Sequence, residues 1–325
     1  MEYESRRSRR LRLERERRRQ NQQKVVRFFV CVALLVVASI VVGMVGRANM
    51  DGTGSNETKQ AATDSADTDA ANEEAQKLSP IEVLKRDLPA KLADINQQLG
   101  ITASADLGYG DLPAGTSTAI SVVDLTNGWG RYDYNADVQF TSASTYKLYV
   151  AYSMIRDVEQ GKRNWSSSLN GQTFESCLNT MIINSDNACP ESYLVSNGYS
   201  VVNRRIREIG VSDQTQLVLY DVRTTASDLS LMLERLYKGE LMSEDNKNHL
   251  LSLMEQQVYR WGIPTGVGDR GVVYDKVGWL DMLEHDAAIV SSDEGDYVLV
   301  IMTNGESREY LAKVSEYIHT VMTDN

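Results

Sequence analysis

The chain has 325 residues, with 34 Lys and Arg against 45 Asp and Glu, a formal net charge of −11, and 42% of its residues hydrophobic. That length and apolar content suffice for one large domain with a full core, and the acidity argues against a nucleic-acid partner. Three cysteines and three scattered histidines (His249, His285, His319), without Cys-x-x-Cys or His-Glu-x-x-His, give no metal-ligand pattern. No metal and no cofactor are expected.

Residues 1–27 hold 10 Arg and 1 Lys against 4 Glu, a formal +7, which leaves −18 for residues 28–325. Residues 28–46 are 19 uncharged, mostly apolar positions. At about 1.5 Å per residue they make roughly 28 Å of helix, close to the thickness of a bilayer. The expectation is a basic cytoplasmic segment (1–27) and one transmembrane anchor (28–46), with the rest of the chain extracytoplasmic at the cell membrane. A cleaved signal peptide is the alternative, with Gly46-Arg47-Ala48 a poor small-x-small site after a stretch that is long for that role. An arginine run can also bind RNA, but topology alone accounts for this one. Residues 47–78, rich in Asp, Glu, Ala, Thr, Ser and Asn with few large apolar side chains, read as a disordered acidic linker. Such a coil holds the C-terminal domain about 30 Å from the membrane on average. Residues 79–325 read as that one domain.

Within it the periodicity predicts a helix over 80–99 and a strand pair over 118–133 with Asn127-Gly128 as the turn. A buried helix opens at Thr141-Ser142-Ala143-Ser144. Further helices are expected over 175–183, 188–196, 201–209, 225–238 with Gly239 as cap, and 243–256. Strands over 271–280, 285–292 and 297–303 and a helix over 306–322 close the chain. Strands from both ends with helices inserted between them imply an α/β (α+β) fold, an antiparallel sheet flanked by helices plus an all-helical lobe.

Three motifs occur once each and in order: Ser144-Thr145-Tyr146-Lys147, Ser185-Asp186-Asn187 and Lys276-Val277-Gly278. Ser144 and Lys147 are nearly one helical turn apart, so the ammonium reaches the hydroxyl. A desolvated lysine whose pKa is lowered takes the proton that a serine must lose to become a nucleophile. The helix N-terminus favours negative charge developing beside the serine. A lone Ser-x-x-Lys is weak, and the alternative is an N-cap serine beside a solvated lysine; three motifs in order support one another.

Through these motifs the chain resembles the serine β-lactamase and penicillin-binding protein superfamily, most closely the class A β-lactamase-like enzymes. The resemblance spans about residues 80–325, with Gly262-Ile263-Pro264 and Asp286-Ala287-Ala288-Ile289-Val290 as further landmarks. It implies a serine hydrolase in which Ser144 forms the acyl-enzyme and Lys147 activates it. Ser185 relays a proton to the leaving group, Asn187 holds the substrate amide, and Lys276 supplies positive charge. The strand through Gly278 lines the cleft, and the N–H groups of Ser144 and Trp279 form the oxyanion hole. β-Lactams or D-Ala-D-Ala-like cell-wall peptides are the implied substrates.

Two departures bear on activity. Val277 stands where the family usually has a hydroxyl that binds the substrate carboxylate, and losing one hydrogen bond to a charged group costs about 1.5–3 kcal/mol. The loop between Gly210 and Thr224 has no Glu-x-x-Leu-Asn, whose glutamate activates the deacylating water. The string occurs instead as Glu175-Ser176-Cys177-Leu178-Asn179, upstream of Ser185-Asp186-Asn187, and reads as coincidence. Asp213 and Asp221 are the acids in that loop. Slow deacylation, as in a penicillin-binding D-alanyl-D-alanine peptidase, is therefore one alternative to β-lactam hydrolysis. A non-catalytic wall-binding domain that keeps the fold is another.

Cys177 and Cys189 flank the Ser185-Asp186-Asn187 turn, and both a disulfide stapling the two helices and a pair of buried thiols are open. Gly266-Val267-Gly268-Asp269-Arg270-Gly271 satisfies the dinucleotide pattern literally, but a Pro-Thr turn precedes it and a strand comes after it, so it reads as a glycine-rich loop. Arg260 and Arg270 flank it, either to anchor a substrate carboxylate or, for Arg260, to pair with Asp275. His285-Asp286 has no Gly-x-Ser-x-Gly partner and reads as strand facing solvent or the cleft rim.

Overall fold

The computed structural model describes residues 78–101 and 117–324. The basic segment, the apolar stretch and the acidic linker lie outside the described residues. Among the described residues no helix is long and apolar enough to cross a membrane.

Helix α1, Pro80–Gln98, starts on a capping box: Glu82 accepts from the Ser79 N–H at 2.8 Å and the Ser79 hydroxyl accepts from the Glu82 N–H at 3.4 Å. Its apolar positions, Ile81, Leu84, Leu88, Leu92 and Ile95, recur at three and four residues and are buried. Next come strands β1 (Thr118–Asp124), β2 (Arg131–Tyr134) and β3 (Phe140–Thr141). A 3-10 turn over Ala143–Tyr146 then leads into α2, Lys147–Glu159. The predicted helix therefore begins three residues later than Ser144, which sits on the tighter turn. A short hairpin, β4 (Ser168–Leu169) and β5 (Gln172–Thr173), precedes α3 (Phe174–Ile183), α4 (Ala188–Asn197) and α5 (Tyr199–Glu208). Strands β6 (Gln216–Val218) and β7 (Asp221–Thr224) lead to α6 (Ala226–Tyr237) and α7 (Glu244–Glu255).

The glycine-rich segment is not the loop its composition suggests. Ile263–Val267 forms a short helix, α8, continued by a 3-10 turn over Gly268–Arg270. Pro264 sits in the first turn, where a missing N–H costs nothing. Strands β8 (Val272–Leu280), β9 (Leu283–Ser292) and β10 (Gly295–Asn304) and helix α9 (Arg308–Thr323) complete the chain.

Five strands form one antiparallel sheet in the order β2-β1-β10-β9-β8, so β8 is an edge. Alternation sends the two sides of each inner strand into different cores. Val298, Val300 and Met302 of β10 join the helical lobe. Tyr297, Leu299 and Ile301 pack with α1 and α9. Coverage on both faces explains why β10 reads as an unbroken apolar run although the sheet is antiparallel.

The helical lobe holds a buried ion pair. Arg205 of α5 meets Asp157 of α2 at 2.5 Å and donates to the Ser153 carbonyl at 2.7 Å and the Tyr193 hydroxyl at 3.1 Å. Helices α2, α4 and α5 are thereby tied together.

Candidate active site

The 3-10 turn bearing Ser144 is fixed from two sides before any side chain points into the cleft. On one, β3 pairs with β7, and the Ser142 N–H donates to the Val222 carbonyl at 2.8 Å. On the other, His285 of β9 bonds the Thr141 carbonyl through Nε2 at 2.9 Å and accepts the Thr303 N–H on Nδ1 at 3.1 Å. Because Nδ1 accepts, Nε2 carries the proton. His285 is fully buried, not at the rim, and burial lowers its pKa to about 4, so it is a neutral strut. Exposure fails as an expectation here because both faces of β9 are covered. Ala143, next to Ser144, has φ 46°, and Ser185 has φ 56°. Left-handed backbone is strained at a non-glycine residue, and at these two positions it helps to aim the neighbouring side chains.

The second motif lies on the turn between α3 and α4. The Cys189 N–H donates to the Asp186 carboxylate at 2.9 Å, and Cys177 is disulfide-bonded to Cys189 with Cα atoms 5.3 Å apart. By the chain-entropy model a loop of this size contributes roughly 3 kcal/mol. It closes the turn that carries Ser185 and Asn187.

Lys147 is fully buried. Its Nζ lies 2.9 Å from Ser144 Oγ, 2.7 Å from the Ser185 carbonyl, 3.2 Å from Ser185 Oγ and 2.7 Å from Asn187 Oδ1. Lys276 of β8, also fully buried, repeats the pattern. Its Nζ lies 2.6 Å from Gln257 Oε1, 3.0 Å from the Val277 carbonyl and 3.1 Å from Ser185 Oγ. Each amine thus meets two carbonyl-type oxygens, which only accept, together with hydroxyls, which also donate. A neutral amine has two N–H bonds and a lone pair. With the N–H bonds on the carbonyls, the lone pair of Lys147 is left for Ser144 and that of Lys276 for Ser185.

Burial makes the neutral forms accessible. It lowers the Lys147 pKa to about 8, against the charges of Asp186 and Glu191, which raise it. Burial and then the Lys147 charge lower Lys276 to about 7, opposed by Asp275 and Asp286. Behind Lys276 those two carboxylates are themselves buried. Burial, then the neighbouring Asp286, holds Asp275 well above the usual carboxylate range, and burial pushes Asp286 up to about 6.

Gln257, Asp275 and Asp286 are site residues that sequence reasoning did not single out for the chemistry. Gln257 turns its Oε1 to Lys276 and the Val277 N–H (3.3 Å) and donates through Nε2 to the Asp275 carbonyl at 3.1 Å. A neutral amide 19 residues upstream carries no motif. A charged residue heading the apolar run Asp286–Val290 was a signal: a lone carboxylate in a buried strand needs a partner. That partner is the Ile263 N–H, 2.8 Å from Oδ2. A Cβ at Gly262 would lie 2.4 Å from the same oxygen, so glycine is required there.

We predict that Gln257→Leu, which leaves the Asp275 carboxylate short of a donor and Lys276 short of an acceptor, destabilises the domain by roughly 1–3 kcal/mol. Thermal unfolding checks it, and an unchanged melting temperature would contradict the bridging role.

Both arginines considered for a substrate carboxylate are committed elsewhere. Arg260 pairs with Asp275 at 2.7 Å and donates to the Val273 carbonyl at 3.1 Å. Arg270 donates to the Val267 and Gly266 carbonyls and to Thr320. Lys276 is sealed inside the network, so its charge does not reach a ligand directly. Asp213 and Asp221 are exposed, and Asp221 pairs with Arg223 at 3.0 Å. The Glu175–Asn179 string lies in α3 with Glu175 exposed.

Gly278 brings the third motif against the first. A Cβ there would lie 2.9 Å from the main-chain nitrogens of both Ser144 and Thr145, an approach only glycine permits. Along β8 the main-chain groups of Val273, Asp275 and Val277 meet Arg260, Gln257 and Lys276 on the open edge. Strand alternation turns the Trp279 N–H to that same edge, one residue beyond the contact with Ser144.

No curated protein matches the chain. Among solved structures, a mutant of PBP-A, determined as an acyl-enzyme complex with penicillin G, superposes with a TM-score of 0.63 at 18% identity over 73% of this chain and 98% of that one. A β-lactamase from Sphaerobacter thermophilus gives a TM-score of 0.61 at 18% identity, over 72% and 95%. One from Xanthomonas campestris gives 0.61 at 16%, over 75% and 99%. At these identities the likeness is one of fold: an α+β, β-lactamase-like antiparallel sheet with helices. The model of the β-lactamase enzyme family matches residues 111–321, a span that holds all three motifs. The chain belongs to the β-lactamase enzyme family, within the β-lactamase-like serine hydrolase superfamily.

Proposed function

We propose that the protein is a membrane-anchored, extracytoplasmic serine hydrolase that forms a long-lived acyl-enzyme with β-lactams or D-Ala-D-Ala-like cell-wall peptides, in the manner of a penicillin-binding peptidase. The observation that carries this reading is Lys147 Nζ, 2.9 Å from Ser144 Oγ while bonded to the Ser185 carbonyl and Asn187 Oδ1. The basic segment, the 19-residue apolar stretch and the acidic linker support the anchor and the outward-facing domain.

In the reaction, neutral Lys147 takes the Ser144 proton as Oγ bonds to the substrate carbonyl carbon. The carbonyl π electrons move to oxygen, between the N–H groups of Ser144 and Trp279. The C–N bond then breaks, and its electron pair takes a proton from Ser185 Oγ. Ser185 recovers that proton from Lys147, so neither lysine changes its net charge over acylation. Lys276, on the far side of Ser185, holds that hydroxyl in place at 3.1 Å. General-base help of this kind is worth about 10²–10⁴ in rate.

Deacylation needs a base for water. The acids between α5 and α6, Asp213 and Asp221, are exposed, and Asp221 is already paired with Arg223 at 3.0 Å. The full-length chain in detergent is mixed with benzylpenicillin and its intact mass followed. A single adduct persisting for many turnovers' worth of time is expected. Adduct that vanishes as drug is consumed would sink the slow-deacylation reading, and no adduct would sink the acyl-enzyme.

A further inference from the structure

Beyond Val277, the cleft wall changes from charged to aromatic. Trp279, Tyr259 and Trp261 pack edge to face with ring centroids 4.7–5.2 Å apart, and all three are only partly buried. Trp279 comes directly after Gly278, whose Cα faces the Ser144 and Thr145 nitrogens. Tyr259 and Trp261 flank Arg260 in the segment that covers the open edge of β8. Leu280 and Met282, 44% and 47% exposed, extend the apolar surface at the β8–β9 turn.

Three basic side chains border this end of β8, and each is already engaged by the protein's own groups. Arg260 is paired with Asp275 at 2.7 Å. Lys276 is fully buried on Gln257, Val277 and Ser185. Arg308 pairs with Glu284 at 3.1 Å and lays its guanidinium over Trp261, 3.8 Å from the ring centroid. Val277 supplies no hydroxyl. A ligand carboxylate brought here is desolvated without a counter-charge, which is costly, whereas a flat apolar group gains both area and ring-to-ring contact.

We propose that Tyr259, Trp261 and Trp279 form the specificity subsite of the cleft, and that it takes a neutral aromatic or alicyclic group of the acyl substrate in preference to a free carboxylate. This rests on Ser144 as the nucleophile. The protein's own side chains occupy the β8 edge as far as Val277, so the uncharged portion of the substrate starts at Trp279 and crosses the three rings. Esters, amides and peptides whose carboxyl end is blocked or continued in another residue are thereby selected over those ending in a carboxylate.

The test compares benzylpenicillin with its benzyl ester on the full-length chain in detergent, reading the acylation rate by intact mass. A fluorophosphonate probe of serine nucleophiles serves as control. The ester is expected to acylate at least tenfold faster than the free acid. Trp279→Ala and Trp261→Leu are each expected to lower that ratio about tenfold, and Trp279→Phe to retain most of it, with thermal unfolding confirming that each variant is folded. A faster free acid, or a ratio unmoved by either variant in folded protein, overturns the subsite. If the fluorophosphonate labels Ser144 but neither penicillin reacts, the nucleophile stands and the subsite falls. If nothing labels, the nucleophilic reading falls and takes the subsite with it.

Discussion

Ser144→Ala is expected to abolish covalent labelling by penicillins while shifting the melting temperature by no more than a few degrees. The Ser144 hydroxyl bonds Lys147 Nζ, at 2.9 Å, and that amine keeps three other oxygens when Ser144 is truncated. Losing one such hydrogen bond costs about 1 kcal/mol, and in a domain of this size that is about 2–4 °C. The turn itself is held by main-chain and His285 contacts that do not involve the side chain. Labelling and folding are therefore separable at this residue. Gel labelling with a fluorescent penicillin and a thermal melt on the same preparation check both halves, and a labelled variant would remove Ser144 from the chemistry.

Lys147→Met is expected to lower the acylation rate by about 10²–10⁴, the usual worth of a positioned base. Methionine keeps much of the stem's volume but has no lone pair to receive the Ser144 proton. The wild-type rate is expected to rise with pH through about 8, the value to which burial lowers Lys147. The sign is set by the active form: only the deprotonated amine accepts a proton, so rate increases as pH climbs through the pKa. In the variant that limb disappears. Stopped-flow acylation between pH 6 and 9.5 measures it, and a variant that keeps the limb near 8 would assign the titration to another group.

Chemistry that lives in short-range spacing was legible from the chain. Ser144 and Lys147 meet because three residues make about one helical turn, whether that turn is α or 3-10. The three motifs could be placed in one cleft because each is single-copy and the order fits a sheet closed by both chain ends. Cys177 and Cys189 bracket a turn, and the structure resolves the open alternatives in favour of the disulfide.

Contacts between distant segments were not legible in the same way. Gln257 is a neutral amide with no periodic or motif context, yet it bridges Lys276 and Asp275. Arg260 had two readings, ligand anchor and partner of Asp275, and only the fold chooses, by setting them 2.7 Å apart. His285 misled because charge suggests exposure, while β9 is buried on both faces. The glycine-rich 266–271 segment misled because three glycines suggest a loop, while Pro264 and packing against α9 hold its start as helix: a Cβ at Gly266 would lie 2.4 Å from the Ala312 carbonyl.

Peptide mapping by mass spectrometry, after the full-length chain is treated with benzylpenicillin, locates the acylated atom without relying on rates. The penicilloyl increment is expected on the peptide containing Ser144 and is expected to be absent from the peptide containing Ser185. An increment on Ser185 or any other residue, or none on a folded sample, would contradict a Lys147-activated Ser144 as the acylated nucleophile.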